Sequence, residues 1–528
     1  MTTTRRSILL GGFILLGFAL RFFQLNAVSL RGDEAFTVLH WIREPLAITL
    51  ADIATKDPQA PLSYALYRGW ALVMGMSEYV ARLLPALFSV MGIAAMYALG
   101  HRLRGYKLGL VAAFLWAINP YQIYHAQDAR SYAIWSVLGL LAVWLALRAL
   151  DRQRRIDWTL YIVAAALAGY VYYLDLFVVV ALNLYVLIRY WRNRWLLVRW
   201  FAAEIVLALL LAPWYLQPRL LVSSGYGGTG ESFDPVQWFT RFIPTLTFGD
   251  NAAMFSSFYG VLVVVLLVAL IISLILWWRR NHWQALMFGL WGILPLLLLG
   301  IVSLRLNVFE PRYVLAVAPA YVLLLAALAL SVRQSFFRLA LVAAPVLVSV
   351  FTLYNYYFVA DYAKAPNWRA LATYLSEHVS PREAVIQAAA DEAFTLYCQD
   401  YQVIEDCDLK LPANPVQSQT EIEGILITRS FTDTSIWYVA QPQNWANANI
   451  AQDWLNEHMH LVRDTVAGGI RVQQFKNWIV ETGELQPITP ISFETTAELV
   501  SVETTFEPND EVTVWLYWQA LAQSDTPL

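Results

Sequence analysis

The chain has 528 residues, of which 59% are hydrophobic and only 14% are charged, with 22 tryptophans among them. A mean hydropathy of +0.49 excludes an ordinary soluble enzyme, in which about a quarter of residues are charged, and predicts a polytopic membrane protein. The net charge of −3 offers no basic surface for a nucleic acid.

Crossing a hydrocarbon core takes roughly 20 helical residues. Apolar runs approaching or reaching that length recur at 7–23, 79–99, 108–119, 132–149, 158–173, 176–188, 200–216, 258–278, 285–303, 313–332 and 339–358. They predict about eleven transmembrane helices, with tilt or re-entry left open for the short runs at 108–119 and 176–188. Alternate connections carry Arg5 and Arg6; Arg102, Arg104 and Lys107; Arg152, Arg154 and Arg155; Arg189, Arg192, Arg194 and Arg199; Arg279 and Arg280; and Arg333 and Arg338. The intervening connections are longer and hold Asp33, Glu34, Asp57, Asp128, Glu231, Asp234, Asp250 and Glu310. Basic residues concentrate in cytoplasmic loops, so the N-terminus is expected inside and the region after the last helix outside the cell membrane. Arg5 and Arg6 precede an apolar run with no small-residue cleavage site, which reads as a retained signal-anchor.

Three regions are expected: a membrane module at 1–360, an extracytoplasmic α/β domain at 361–478, and a β-rich tail at 479–528 that reads as an incomplete β-sandwich. Within the second, helices are predicted at 368–378 and 451–458 and strands at 383–387, 424–428 and 435–439, followed in the tail by strands at 491–500 and 511–518. Cys398 and Cys407 both fall outside the membrane module, where an oxidising compartment favours a disulfide; two free thiols are the alternative.

The first outer loop, about residues 24–78, is the longest within the membrane half. It opens with Arg31-Gly32-Asp33-Glu34-Ala35-Phe36-Thr37, continues through an amphipathic stretch at 37–53 suited to lying in the interface, and ends near Lys56-Asp57-Pro58-Gln59-Ala60-Pro61-Leu62-Ser63-Tyr64. A carboxylate at the bilayer surface, ionised at neutral pH, can accept a proton from an attacking hydroxyl. The competing reading is that both acids merely solvate a loop. The glycine-rich stretch at 223–230 lacks the strand-to-helix context of a phosphate-binding loop and reads as a lid or outer loop.

Asp33-Glu34, Asp57 with Pro61-Leu62-Ser63-Tyr64, Ala81-Arg82-Leu83-Leu84-Pro85-Ala86-Leu87-Phe88, Gln127-Asp128-Ala129-Arg130-Ser131-Tyr132 and Pro311-Arg312-Tyr313 form an ordered set. In order and spacing it resembles the GT-C superfamily of membrane glycosyltransferases, in the branch related to protein O-mannosyltransferases and bacterial aminoarabinose transferases. The resemblance covers about residues 7–375 and includes Pro366-Asn367-Trp368-Arg369. One departure is that Gln59-Ala60-Pro61-Leu62-Ser63 stands where the family often has His-Pro-Pro-Leu-Tyr, so a contact made by that histidine is not carried over.

The resemblance implies transfer of a sugar from a polyprenyl-phosphate donor to a lipid, polysaccharide or protein acceptor on the outer face, with inversion. Such a donor keeps its phosphate at the interface, and cations are needed at that depth. Arg130 and Arg312 sit at expected outer helix ends beside Tyr132 and Tyr313, and a guanidinium fork matches phosphate oxygens bidentately; snorkelling to lipid headgroups is the alternative. Asp33 is the expected base, with Glu34 orienting the acceptor, binding a sugar hydroxyl or tuning its neighbour. Arg82 and Arg305 are weaker candidates, Arg82 being placed to cap its helix or pair with Glu78, and His125 is a lone histidine near Arg130. No cofactor is assigned; a divalent metal, Mg²⁺ or Mn²⁺, stays open. A transporter or lipid flippase is the alternative function, but its ionisable residues and repeated halves at mid-membrane are not evident here.

Overall fold

The structure, a computed structural model, describes residues 2–55, 60–216, 232–249, 258–388, 391–441, 445–476, 487–493, 497–506 and 512–520. The chain divides into two compact units, Met1–Ala365 and Pro366–Leu528. Asp57, Glu231, Asp250 and the glycine-rich stretch at 223–230 lie outside the described residues.

The first unit is helical and built for a bilayer. Among the described residues, nine helices are long and apolar enough to cross: Thr3–Phe22, Glu78–Arg104, Tyr132–Arg152, Tyr173–Tyr190, Arg194–Tyr215, Tyr259–Arg280, His282–Ser303, Pro311–Ser331 and Ser335–Phe358. Helices Tyr106–Ile118 and Arg155–Val171 account for the other two predicted runs, but at 13 and 17 residues they reach only about 20 and about 26 Å. Helix Tyr259–Arg280 leaves Val261, Val264, Val265, Val268, Ile271 and Ile272 exposed, an arrangement suited to lipid and not to water. Where helices must pack closely, the chain places glycine. A Cβ on Gly100 would stand 2.8 Å from the Cα of Gly109, so helices Glu78–Arg104 and Tyr106–Ile118 touch backbone to backbone across the Gly105 turn. Ionisable groups near or within the spans have partners. Arg21 donates to Ser89 Oγ at 2.8 Å and to the Ala117 carbonyl at 2.8 Å, and Glu204 accepts from Tyr161 and Asn183.

The described residues of the loop after the first helix form helices. Gly32–Phe36 runs into a π-helical turn, Thr37–Arg43, which ends at Glu44 because the following Pro45 forces that residue to an extended backbone. The amphipathic stretch expected at 37–53 is therefore two pieces, resuming as Leu46–Thr55. Helix Pro61–Met74 follows, with proline at its first position, where no amide donor is needed.

The second unit carries a four-stranded sheet of β1 (Ala384–Gln387), β2 (Ser435–Ala440), β3 (His460–Ala467) and β4 (Ile470–Lys476) in the order β1-β2-β4-β3. Strands β1 and β2 are parallel and the other pairs antiparallel. Ile386, Ile436 and Tyr438 pack on one face with Ile422, Leu426, Trp454 and Leu455 from helices Gln419–Thr432 and Ile450–His458. Trp437 points to the opposite face, toward Tyr374 of helix Trp368–His378, whose Trp368 meets Phe394 of helix Glu392–Asp400. The strand expected at 424–428 lies instead inside helix Gln419–Thr432. Ser418 and Glu421 form a capping box that starts that helix, and Ile422 and Leu426 recur at helical spacing. Helix Glu392–Asp400 and the β3–β4 hairpin, which turns through the positive-φ pair Gly468-Gly469, carried no sequence prediction. A disulfide joins Cys398 to Cys407, with Cα atoms 5.8 Å apart. The tail forms a three-stranded antiparallel sheet of β5 (Pro487–Phe493), β6 (Ala497–Phe506) and β7 (Val512–Ala520), so the expected strand at 491–500 straddles the end of β5 and the start of β6.

Candidate active site

The sequence Arg31-Gly32-Asp33-Glu34 forms the first turn of helix Gly32–Phe36, and its geometry sends two adjacent carboxylates in different directions. Successive helical residues point about 100° apart. Glu34, three residues into the turn, folds back so that its Oε2 accepts the Arg31 backbone N–H at 3.2 Å. It is completely buried, and its oxygens also take the Arg82 Nε and Nη2 hydrogens at 2.7 Å each and the Ala129 backbone N–H at 2.8 Å. Arg82 gives its remaining hydrogens to the carbonyls of Leu25, Val28 and Ser29, which engages all five of its donors. The expected cap or Glu78 partnership for Arg82 is thus replaced by a clamp between helix Glu78–Arg104, the chain leaving the first helix, and Glu34. Glu34 does not stand beside Asp33 to meet an acceptor, because burial has closed it off.

Asp33 stays open. Its side chain is 34% exposed, against 0% for Glu34 and Asp128. Arg312 Nη1 approaches its Oδ2 at 2.6 Å and Arg31 Nη2 approaches the same oxygen at 3.3 Å. Arg130 donates to the Asp33 backbone carbonyl and to Thr37 Oγ1, both at 3.3 Å, with its guanidinium 4.9 Å above the Trp41 ring. Burial would raise the Asp33 carboxyl, but Arg31, Arg312 and Arg130 outweigh it and hold the group below its ordinary value.

Behind Asp33 lies Asp128, on the tight segment between helices Pro120–Ala126 and Tyr132–Arg152. Arg31 grips it with two bonds, Nη2 at 2.7 Å and Nε at 3.4 Å. Lys364, six residues past the last spanning helix, donates to the Gln127 carbonyl at 2.7 Å and lies 3.4 Å from Asp128 and 3.9 Å from Glu34. Burial opposes the charge on Asp128, yet Arg31 and Lys364 hold it well below its ordinary value. Burial also pulls Lys364 down to about 8 against the attraction of Asp128 and Glu34. Among the described residues, five cations, Arg31, Arg82, Arg130, Arg312 and Lys364, stand around the three carboxylates Asp33, Glu34 and Asp128, a surplus of two positive charges.

Tyr313 lies beneath Arg312, 5.3 Å from guanidinium carbon to ring centre, and Tyr132 and Tyr313 both pack against Tyr172. His125 is buried among Tyr121, Tyr124 and Tyr132, with Nδ1 3.7 Å from Asp128, so it packs behind the cluster and does not face its open side. Arg305 is exposed in the turn after helix His282–Ser303 and is not among the residues bonded to the cluster. Among the described residues no three His, Cys, Asp or Glu side chains gather as a metal site. Asp33 and Asp128 are bridged by the Arg31 guanidinium.

The same arrangement of helices is found in solved enzymes. The chain superimposes on ArnT from Cupriavidus metallidurans bound to undecaprenyl phosphate with a TM-score of 0.56 and 15% identity, over 90% of this chain and 98% of that one. Against the oligosaccharyltransferase of Archaeoglobus fulgidus in its apo form the TM-score is 0.52 at 13% identity, over 83% and 70% of the two chains. The structure of AglB from the same organism, in complex with an inhibitory peptide and a dolichol-phosphate, gives 0.50 at 13% identity over 90% and 75%. The fold is that of the GT-C glycosyltransferases. Residues 58–216 also match the family profile of dolichyl-phosphate-mannose-protein mannosyltransferase. No curated protein matches in sequence.

In this structure the sequence motifs converge: Asp33, Glu34, Arg82, Asp128, Arg130 and Arg312 come together from four separate stretches of chain. Sequence reasoning assigned no role to Arg31, Asp128 or Lys364. Arg31 and Asp128 belonged to motifs already singled out, and the signal was the excess of arginines around them. Lys364 follows the last helix without a motif, and only folding reveals it.

Proposed function

We propose that the membrane unit transfers a sugar from a polyprenyl-phosphate donor to an acceptor hydroxyl on the extracytoplasmic face, inverting the anomeric carbon, with Asp33 as the base. The observation that carries this reading is the surplus of positive charge, among the described residues, around Asp33, the one carboxylate of the cluster that is only partly buried. The asymmetry of lysine and arginine between loops puts this cluster on the outer side, with the N-terminus inside. Solved GT-C structures containing undecaprenyl phosphate and dolichol-phosphate support the donor class.

Arg312, Arg31 and Arg130 are the groups a donor phosphate would meet, and Tyr132 and Tyr313 form the wall beneath them. A phosphate competing for Arg312 and Arg31 loosens the ion pairs on Asp33 and makes its carboxylate more basic as the acceptor arrives. The acceptor oxygen bonds to the anomeric carbon and its proton passes to Asp33. The bond from that carbon to the phosphate oxygen breaks with its electron pair, releasing the polyprenyl phosphate. The charge growing on the leaving phosphate is stabilised by arginines already fixed in place. Glu34, Arg82, Asp128 and Lys364 are positioning residues that hold the loop bearing Asp33.

The test is incubation of the purified chain with a panel of polyprenyl-phosphate sugars, following release of the carrier and the anomeric configuration of the product. Asp33→Asn is expected to lower kcat about 10²- to 10⁴-fold, the usual yield of a positioned base, with folding retained. Transfer at the normal rate by that variant would refute the base assignment, and no carrier release from any donor would refute the activity.

A further inference from the structure

The second unit contains a cavity of about 640 Å³ that no step of sugar transfer uses. That volume lies within the range of small-molecule sites, about 300–1,000 Å³. It opens at the C-terminal ends of the parallel strands β1 and β2, where Ala388 and Asp391 follow one strand, and Ala440 ends the other and Gln441 follows it. The helix after β1, Glu392–Asp400, packs on the face that carries Trp437, whereas the helix after β2, Ile450–His458, packs on the face that carries Tyr438. The two helices therefore lie on opposite faces of the sheet, and a crevice at the strand ends between such helices is where open α/β sheets bind ligands.

The lining indicates the kind of ligand. Its two charged residues have opposite signs and are both engaged. Arg471 is bound to Asp464, with Nε 2.9 Å from Oδ1, and Asp391 Oδ1 accepts the Ala393 N–H at the start of its helix. No surplus charge is left for a phosphate. The rest of the polar lining is neutral amide: Gln441, Asn449 and Gln452, the last donating to Gln473 Oε1 at 2.9 Å, with the buried Trp368 and Tyr438 behind them. Amides donate and accept at once, as hydroxyl groups require. Gln441 Nε2 is buried without a hydrogen-bond partner among the described residues, a donor that the fold leaves unsatisfied and a ligand oxygen would satisfy.

We propose that this crevice is a binding site for a neutral carbohydrate, a hexose or a disaccharide. Binding here is independent of transfer and is measurable without a donor. The full-length protein in lipid nanodiscs is titrated with methyl α-mannoside, methyl β-galactoside and N-acetylglucosamine, read by saturation-transfer NMR, with inorganic phosphate and a neutral tripeptide as competitors. At least one sugar is expected to bind. Gln441→Leu is expected to weaken it about three- to tenfold, the effect of one neutral hydrogen bond, while the thermal midpoint stays level or rises because an unsatisfied amide has gone. Asn449→Ala, which removes no side-chain cap, provides a second variant and is expected to weaken binding similarly. Asp33→Asn is expected to leave sugar binding intact. The site is overturned if no sugar binds, if neither Gln441→Leu nor Asn449→Ala changes binding, if phosphate or the tripeptide displaces the sugar, or if Asp33→Asn abolishes it.

Discussion

Replacing Glu34 with glutamine removes the countercharge of an arginine that has no route to water. Arg82 is 3% exposed at its side chain, and two of its five hydrogen bonds end on the Glu34 carboxylate. Breaking a buried pair from one side costs about 3–5 kcal/mol, because the orphaned charge remains desolvated. Glutamine keeps one oxygen acceptor, and Arg82 keeps the carbonyls of Leu25, Val28 and Ser29, so Glu34→Gln belongs at the lower end, about 3 kcal/mol. Arg82→Met strands Glu34 in the same way, with only Lys364 at 3.9 Å and two backbone amides to compensate. The double variant leaves neither charge behind and should cost less than the sum of the single changes by about 2 kcal/mol. Unfolding in mixed micelles with a rising fraction of anionic detergent, applied to all four members of the cycle, measures this coupling. A coupling below about 0.5 kcal/mol, the worth of an exposed ion pair, would show that the clamp does not exist in the folded protein.

Arg312→Lys keeps the charge beside Asp33 but removes the planar fork, and kcat/KM for the lipid-linked donor is expected to fall about tenfold; unchanged kinetics would argue against bidentate phosphate recognition. Lys364 has a folded-state value of about 8 against its ordinary 10.5, so between those values the unfolded chain binds more protons and the stability linked to this group rises with pH. Wild type should accordingly gain stability relative to Lys364→Met between about pH 8 and 10.5, and a constant difference across that window would place Lys364 in solvent.

Much of the membrane unit could be read from the sequence because a bilayer leaves few alternatives to a long apolar helix. Tilt or re-entry was open for 108–119 and 176–188; the structure makes the first a helix shorter than a full crossing and puts the second in the spanning helix Tyr173–Tyr190, while 158–173, expected to span, falls in the shorter helix Arg155–Val171. The second unit was harder. Gly424 to Thr428 carries the Ile425, Leu426 and Ile427 run of a strand, but the capping box at Ser418 commits it to a helix, a local signal stronger than β-branching. At the site, Asp33, Arg130 and Arg312 were recognisable from their types and neighbours. The pairing of Arg82 with Glu34 was not, since 48 residues separate them and Glu78 offered a partner only one helical turn away. Lys364 was invisible for the same reason: its partners lie more than 200 residues earlier in the chain.

The division of labour between Asp33 and Glu34 follows from one helical turn, and it can be tested by exchanging the two side-chain lengths. Glu34 reaches Arg82, the Ala129 amide and its own Arg31 amide because its longer chain can fold back, while Asp33, one residue earlier, is short enough to stay at the opening between Arg31 and Arg312. Asp33→Glu keeps the charge and the proton affinity of a carboxylate but moves its oxygens by about 1 Å, and misplacement of that size costs about 10²-fold in a reaction that depends on position. Glu34→Asp should leave transfer chemistry possible but shorten the reach to Arg82, showing as lost stability with kcat retained in the folded fraction. If Asp33→Glu transfers at the wild-type rate, or if Glu34→Asp lowers kcat with stability unchanged, then the roles assigned to the two carboxylates are reversed.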